Sequence, residues 1–172
     1  MPVPSSIDRR VLRTYLADHL TGATAGRARA QKMMQWYGDT EIGPELAVVA
    51  DEIDEEHRHL EGVIDRLGLR QPVVLRAVAR AGEAAGRLKT NGRGLMRSPM
   101  TPLLEIELLR GAVNAKQGLW QTLAEYADEL GLDAGEYRRR ADAVDRQVEV
   151  LERLHARVRG EALRPGDGIH EG

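Results

Sequence analysis

Apolar residues recur along most of the chain at alternating spacings of three and four, and almost no stretch shows the two-residue alternation of a half-buried strand. Over residues 7–37 the stripe passes through Leu12, Leu16, Leu20, Ala23, Gly26, Ala30, Met33 and Tyr37, with His19 beside Leu20. This predicts one long helix with a single inward face, capped by Ser5, Ser6 or Asp8 and ended at Gly38-Asp39. A second stripe of Leu46, Val49, Ile53, Glu56 or His57, Leu60, Ile64 and Leu67 predicts a helix over residues 44–67 that stops at Gly68. Two further long helices are expected over 101–130 and 134–163, separated by Gly131, Leu132 and Asp133. A shorter helix over 72–89 runs into the turn-rich residues 90–94. Residues 164–172, with Pro, Gly and charge, read as a flexible tail.

Four long helices of this kind predict an all-α four-helix bundle forming a single domain over residues 1–163. A chain of 172 residues is long enough to bury roughly two-thirds of its unfolded surface without an external staple. The additional short helix lies in the connection between the second and third long helices. Its rise of about 26 Å lets that connection travel the length of a bundle or fold over one end. The first course resembles the ferritin-like superfamily, whose fold this pattern then implies.

A more specific resemblance rests on three stretches. They are residues 15–26, beginning Tyr15, Leu16, Ala17, Asp18, His19 and Leu20; residues 87–93 with Arg97, Ser98 and Pro99; and Glu105, Ile106, Glu107, Leu108 and Leu109 with Lys116, Leu119 and Trp120. Together they resemble a family of uncharacterised actinobacterial helical-bundle proteins, and the resemblance carries no catalytic residues with it.

Composition narrows the chemistry. The chain has no cysteine, which removes disulfides, thiolate zinc sites and cysteine nucleophiles, so a transition metal must be held by His, Asp and Glu. A formal charge of −2 provides no general drive toward nucleic acid or acidic lipid. No apolar run approaches a membrane span, and the first residues lack the pattern of a signal peptide, so a cytoplasmic protein is expected.

The candidate metal ligands are two copies of Glu-x-x-His, Glu56 with His59 and Glu152 with His155, joined by His19. That spacing on two helices, with one glutamate from each of two others, builds carboxylate-bridged iron or manganese sites. The first helix supplies no glutamate at mid-length, only Asp18 and His19, so the ligand set is incomplete. The i,i+4 pairs Asp51/Glu55 and Glu52/Glu56 repel, and a metal would relieve them. Solvation, with Arg58 reaching Asp54 and Glu55, is the plainer account. Residue counting puts His19, Glu56 and His59 in one layer. A crossing connection would place His155 near Glu105 and Glu107 instead, whereas an up-down-up-down chain would bring the two motifs within about 10 Å.

Two basic features are candidate ligand sites. Lys116 falls on the inward side of the third helix between Val113 and Trp120, where a buried ammonium needs an acidic partner or an anionic ligand. Arg87, Lys89, Arg93 and Arg97 surround the Asn91-Gly92 turn and offer guanidinium forks to a phosphate or carboxylate, or lace the connection to acidic helix surfaces. No nucleophile motif is present. The sequence therefore ranks first a non-enzymatic, homo-oligomeric bundle that needs no cofactor and binds a partner or a small molecule, an anionic one among the candidates, through its polar-lined interior or the basic loop. A ferritin-like metal-binding protein or metal-dependent oxidase comes second.

Overall fold

The computed structural model describes residues 3–69 and 99–164, and all the regular structure among them is helical. Five helices follow one another: α1 (Arg9–Tyr37), α2 (Gly43–Arg66), α3 (Met100–Glu125), the single turn α4 (Ala127–Leu130) and α5 (Ala134–Arg159). No described helix is long and apolar enough to cross a membrane. The expected helix at 72–89, the basic turn and residues 165–172 of the tail lie outside the described residues.

Local chemistry sets the helix ends. Asp8 caps α1 by accepting from the backbone N–H groups of Arg10 (2.8 Å) and Val11 (3.0 Å), and those bonds hold its carboxyl below the ordinary carboxylate range. Asp133 does the same for α5 through Gly135 N–H (2.8 Å). Gly68 and Gly131 both take φ +63°, a left-handed conformation that glycine adopts without strain. Each is followed by a buried leucine, Leu69 or Leu132, whose N–H closes back on the preceding helix at Ile64 O (2.9 Å) and Ala127 O (2.8 Å).

The helix expected over 101–130 is interrupted at Tyr126 (φ −94°, ψ 10°). One turn earlier the Thr122 hydroxyl donates to Gly118 O at 2.8 Å, a back-bond that favours bending. Beyond the break, Ala127 and Leu130 are buried while Tyr126 stays exposed. The last long helix also ends earlier than expected, at Arg159 rather than 163.

The four long helices pack as a square in which α1 touches α2 and α3, and α5 touches the same two. Cross-helix contacts fix their directions. Thr24 meets His57 and Arg27 meets Asp54, so α1 and α2 are antiparallel. Tyr15 meets Thr122 while Arg29 meets Glu105, so α1 and α3 are antiparallel as well. Glu55 with Arg140 and Glu45 with Arg153 orient α5 against α2. Gln117 with Asp145 and Glu107 with His155 orient it against α3. It follows that α2 and α3 run parallel on opposite corners, and α3 begins at the end of the square opposite to where α2 stops.

Leu16, Met33, Leu46, Val49, Leu60, Ile106, Leu109, Val113, Trp120, Val144, Leu151 and Leu154 fill the centre. Burial of such side chains, each contributing about 1.5–3 kcal/mol, is the main stabilising force. Among the four seams, α2/α5 is the most open, and two adjoining hollows lie along it.

Candidate functional site

The inward stripe of α2 carries Glu56 into the apolar interior, with Glu52 and His59 half-buried on the same face at spacings of four and three. From the opposite corner Lys116 reaches across the core and forms an ion pair with Glu56 Oε2. From α5, Gln147 occupies a position between Val144 and Leu151 that the helical period reserves for an apolar side chain, and it is only 1% exposed. Its Nε2 donates to Glu52 Oε2 (2.7 Å) and Glu56 Oε1 (3.3 Å), while its Oε1 is buried without a partner. A polar layer of two carboxylates, one ammonium and one amide therefore interrupts the core.

Burial dominates the electrostatics of this layer. It raises the pKa of Glu56, with Lys116 and Gln147 opposing the rise and Glu52 adding to it. It lowers that of Lys116, with Glu56 pulling the other way. Desolvation outweighing attraction is the usual balance for an ion pair in a dry interior. Of the two roles open to Lys116 from the sequence, the structure shows the ion pair.

His59 turns away from this layer. Its ring packs against Trp120 and Tyr137, with centroids 5.9 and 5.7 Å away, and its Nδ1 lies 3.5 Å from Glu136 Oε1. Burial and the nearby Arg140 guanidinium lower its pKa, so at neutral pH it is an uncharged aromatic partner. Burial likewise raises the Tyr137 phenol to about 12. Arg140 completes the cluster by forking onto Glu55 (2.9 and 3.1 Å), reaching Glu136 (3.2 Å) and covering the Trp120 ring at 5.6 Å.

Glu152 and His155 sit elsewhere. The exposed Glu152 lies 3.7 Å from Arg110, and His155 Nε2 is 3.0 Å from Glu107 Oε1. His19 packs edge-on to Tyr15 at 4.5 Å, and burial lowers its pKa. Thr24 is opposite His57, so His19 is about 7 Å further along α1 from that level. Its neighbour on the α2 side is thus near residue 62 rather than Glu56. His57, which shares the Glu56 motif, faces α1. The Thr24 hydroxyl already donates to Leu20 O (2.8 Å), so His57 Nε2–H donates to Thr24 Oγ1 at 3.0 Å. Arg87, Lys89, Arg93 and Arg97 lie outside the described residues.

Among the described residues the candidate ligands are not gathered into a di-metal centre. An ammonium occupies the inner oxygen of Glu56, His59 points into an aromatic pocket, and the second motif is on another level. Among the described residues no three His, Asp or Glu side chains are grouped to hold a metal ion. The repulsion between Glu52 and Glu56 is relieved by the Gln147 amide and Lys116, and Arg140 answers Glu55.

The hollow above this layer has a volume of about 360 Å3 and is lined by Glu52, Glu55, Glu56, Glu136, Arg139, Arg140, Ala143 and Gln147. A second hollow of about 290 Å3 shares Glu52 and Gln147 as its wall and adds Val48, Val49, Arg146, Glu149, Val150 and Arg153. Sequence reasoning missed Gln147 and the α5 half of this cleft. The available signal was an amide on an otherwise apolar stripe. Compared with known proteins, the chain matches no family model, no curated protein and no solved structure.

Proposed function

We propose that this chain is a non-enzymatic, small-molecule-binding helical bundle of ferritin-like topology, with the α2/α5 cleft as its binding place. Antiparallel α1/α2 and α3/α5 pairs, with α2 parallel to α3, match the one-crossover class of four-helix bundles and support that fold reading. The observation that carries the functional reading is the cleft's floor. Glu56 is closed by Lys116, leaving Glu52 and a buried, half-satisfied Gln147 amide beneath a hollow of about 360 Å3. The hollow is open to solvent and lined by four carboxylates, two guanidiniums, one amide and a single methyl, so it suits a small polar ligand held by directional contacts rather than an apolar one. The closed Glu56–Lys116 pair argues against the metal-dependent alternative, because a divalent ion there would face a fixed positive charge.

Self-association and a cytoplasmic setting belong to the same proposal. The outer face of α3 carries Leu104 and Leu108, 41% and 43% exposed, which favours a homo-oligomer. A monomer by light scattering at micromolar concentration would remove that part.

The cleft reading is tested by titrating the labelled protein with a mixed set of small neutral, cationic and anionic compounds and following amide and methyl NMR signals. Binding compounds are expected to shift the Gln147 side-chain amide and the Ala143 methyl, and Ala143→Leu, which fills the hollow, is expected to block them. Shifts confined to other surfaces, or no binding at all, would contradict the reading.

A further inference from the structure

We infer that the outer face formed by α1 and α3 is where a second copy of this chain docks, with each helix antiparallel to its own copy. The inference rests on the self-association reading above and names its surface and geometry. The outward positions of α3 are Leu104, Leu108, Gly111, Ala115, Gly118 and Thr122, at spacings of four and three, and none carries a charge. The outward positions of α5 at the same spacings are Arg139, Asp142, Arg146, Glu149 and Arg153, and every one is charged. Of the two, α3 has the pattern of a helix covered on both sides, yet Leu104 and Leu108 are 41% and 43% exposed. Beside this stripe α1 presents Val11, Asp18, Gly22, Ala25, Arg29 and Trp36. Tyr15 bonds Thr122 (3.0 Å) and Gly26 lies against the Ala112 methyl, which sets the interval between Gly22 and Ala25 at about the level of Val113.

A two-fold axis crossing the helices at right angles at that level makes both stripes complementary to themselves. On α3 it lays Leu104 over Thr122, Leu108 over Gly118 and Gly111 over Ala115 of the second copy. The leucines then meet small residues, and the backbones can close at the centre. On α1 it lays Val11 over Trp36, Gly22 over Ala25 and Asp18 over Arg29 of the second copy. The last pair is complementary in charge. Asp18 is exposed and has no ion pair among the described residues, and Arg29, bound to Glu105, has further N–H groups to give. A two-fold running along α3 would instead set Leu108 on Leu108 and Gly118 on Gly118, leaving gaps at the glycines. Two helices about 10 Å apart and about 39 Å long offer a face of roughly 800 Å2, the area each partner buries in a standard interface.

The test is sedimentation velocity of the full chain at micromolar concentration, combined with spin labelling. The chain has no cysteine, so Asn114→Cys and Gln121→Cys, at exposed positions beside the stripe, each take a single label. The expected result is a dimer in which the two Gln121→Cys labels are about 24 Å apart along the helices and the two Asn114→Cys labels about 3 Å. Leu108→Glu is expected to give a monomer, with circular dichroism confirming that it folds. Asp18→Arg, which by symmetry sets two arginines together at two places, is expected to weaken association by about tenfold. A dimer that survives Leu108→Glu would overturn this face while leaving self-association standing. Equal label separations at both positions, or an affinity indifferent to Asp18→Arg, would overturn the antiparallel pairing. A monomer throughout would overturn both readings, whether another segment of the chain or a different protein covers the face.

Discussion

The two copies of Glu-x-x-His differ in nearly every physical respect. Glu56 is 7% exposed, lies in the apolar interior and holds Lys116, while its companion His59 is enclosed by Trp120 and Tyr137. Glu152 is exposed beside Arg110, and His155 bonds to Glu107 near the helix surface. Identical spacing therefore yields a buried polar layer in one place and a solvated ion pair in the other. The difference arises from helix direction. Because α5 runs against both α2 and α3, the level of Glu152 and His155 falls opposite Glu107 and Arg110 rather than opposite Glu56. Spacing sets which side chains share a helix face; packing decides the dielectric in which they work.

The contrast predicts a ranking of mutational effects. Lys116→Met leaves Glu56 buried without its cation and is expected to destabilise the fold by about 3–5 kcal/mol. In that variant the raised pKa of Glu56 rises further. Its stability is then expected to recover as pH falls and Glu56 takes up a proton, and to be lost again as pH rises through the folded-state value. Denaturant melts of wild type and variant between pH 4 and 8 read both effects. A Lys116→Met that melts like wild type at neutral pH would show that the interior layer is wet and weakly coupled.

The double replacement Glu56→Leu with Lys116→Met sharpens the comparison. Burial disfavours the charged form of each partner, so removing both is expected to be neutral or to stabilise by about 1–4 kcal/mol. A thermodynamic cycle over the single and double variants would then give strong coupling. Additive losses would contradict the ion-pair assignment.

Histidine titration gives a smaller effect. The pKa of His59 is lowered by burial, so its stabilising contribution is present above the ordinary histidine value near 6.5 and is lost as pH falls through the folded-state value. His59→Phe is expected to flatten the loss of stability between pH 6.5 and 5. His155→Gln, which removes a half-exposed pair with Glu107, is expected to lower stability at neutral pH by about 1 kcal/mol or less. Smallest of all is Glu152→Gln, expected to shift stability by about 0.5 kcal/mol or less, as exposed ion pairs commonly do.

Much of the helical framework was legible from side-chain period and caps. Asp8, Gly68 and Gly131 act at the helix ends where their chemistry suggested, and Leu16, Ala30, Met33, Leu46, Val49, Ile53 and Leu60 lie inward on their stripes. The inward position of Lys116 was legible too, since it is flanked by Val113 and Trp120. Its partner was not, because Glu56 lies on the diagonal helix and only the relative direction and level of α2 and α3 bring them together. The interruption at Tyr126 was hidden for a different reason. The apolar period continues through it to Ala127 and Leu130, while the backbone departs from the helix for a single residue. Gln147 was legible as an anomaly on its stripe, but its role depends on two carboxylates from another helix.

The central claim is that the interior carboxylate at Glu56 is satisfied by Lys116 rather than by a metal ion. The most direct test is iron, manganese and zinc uptake by protein without a histidine tag at neutral pH, measured by elemental analysis after equilibrium dialysis, with Glu56→Ala and His155→Ala alongside. The expected result is no stoichiometric metal in wild type and no difference between the variants. Stoichiometric uptake by wild type that disappears in Glu56→Ala would contradict the claim and return the chain to the metal-binding class.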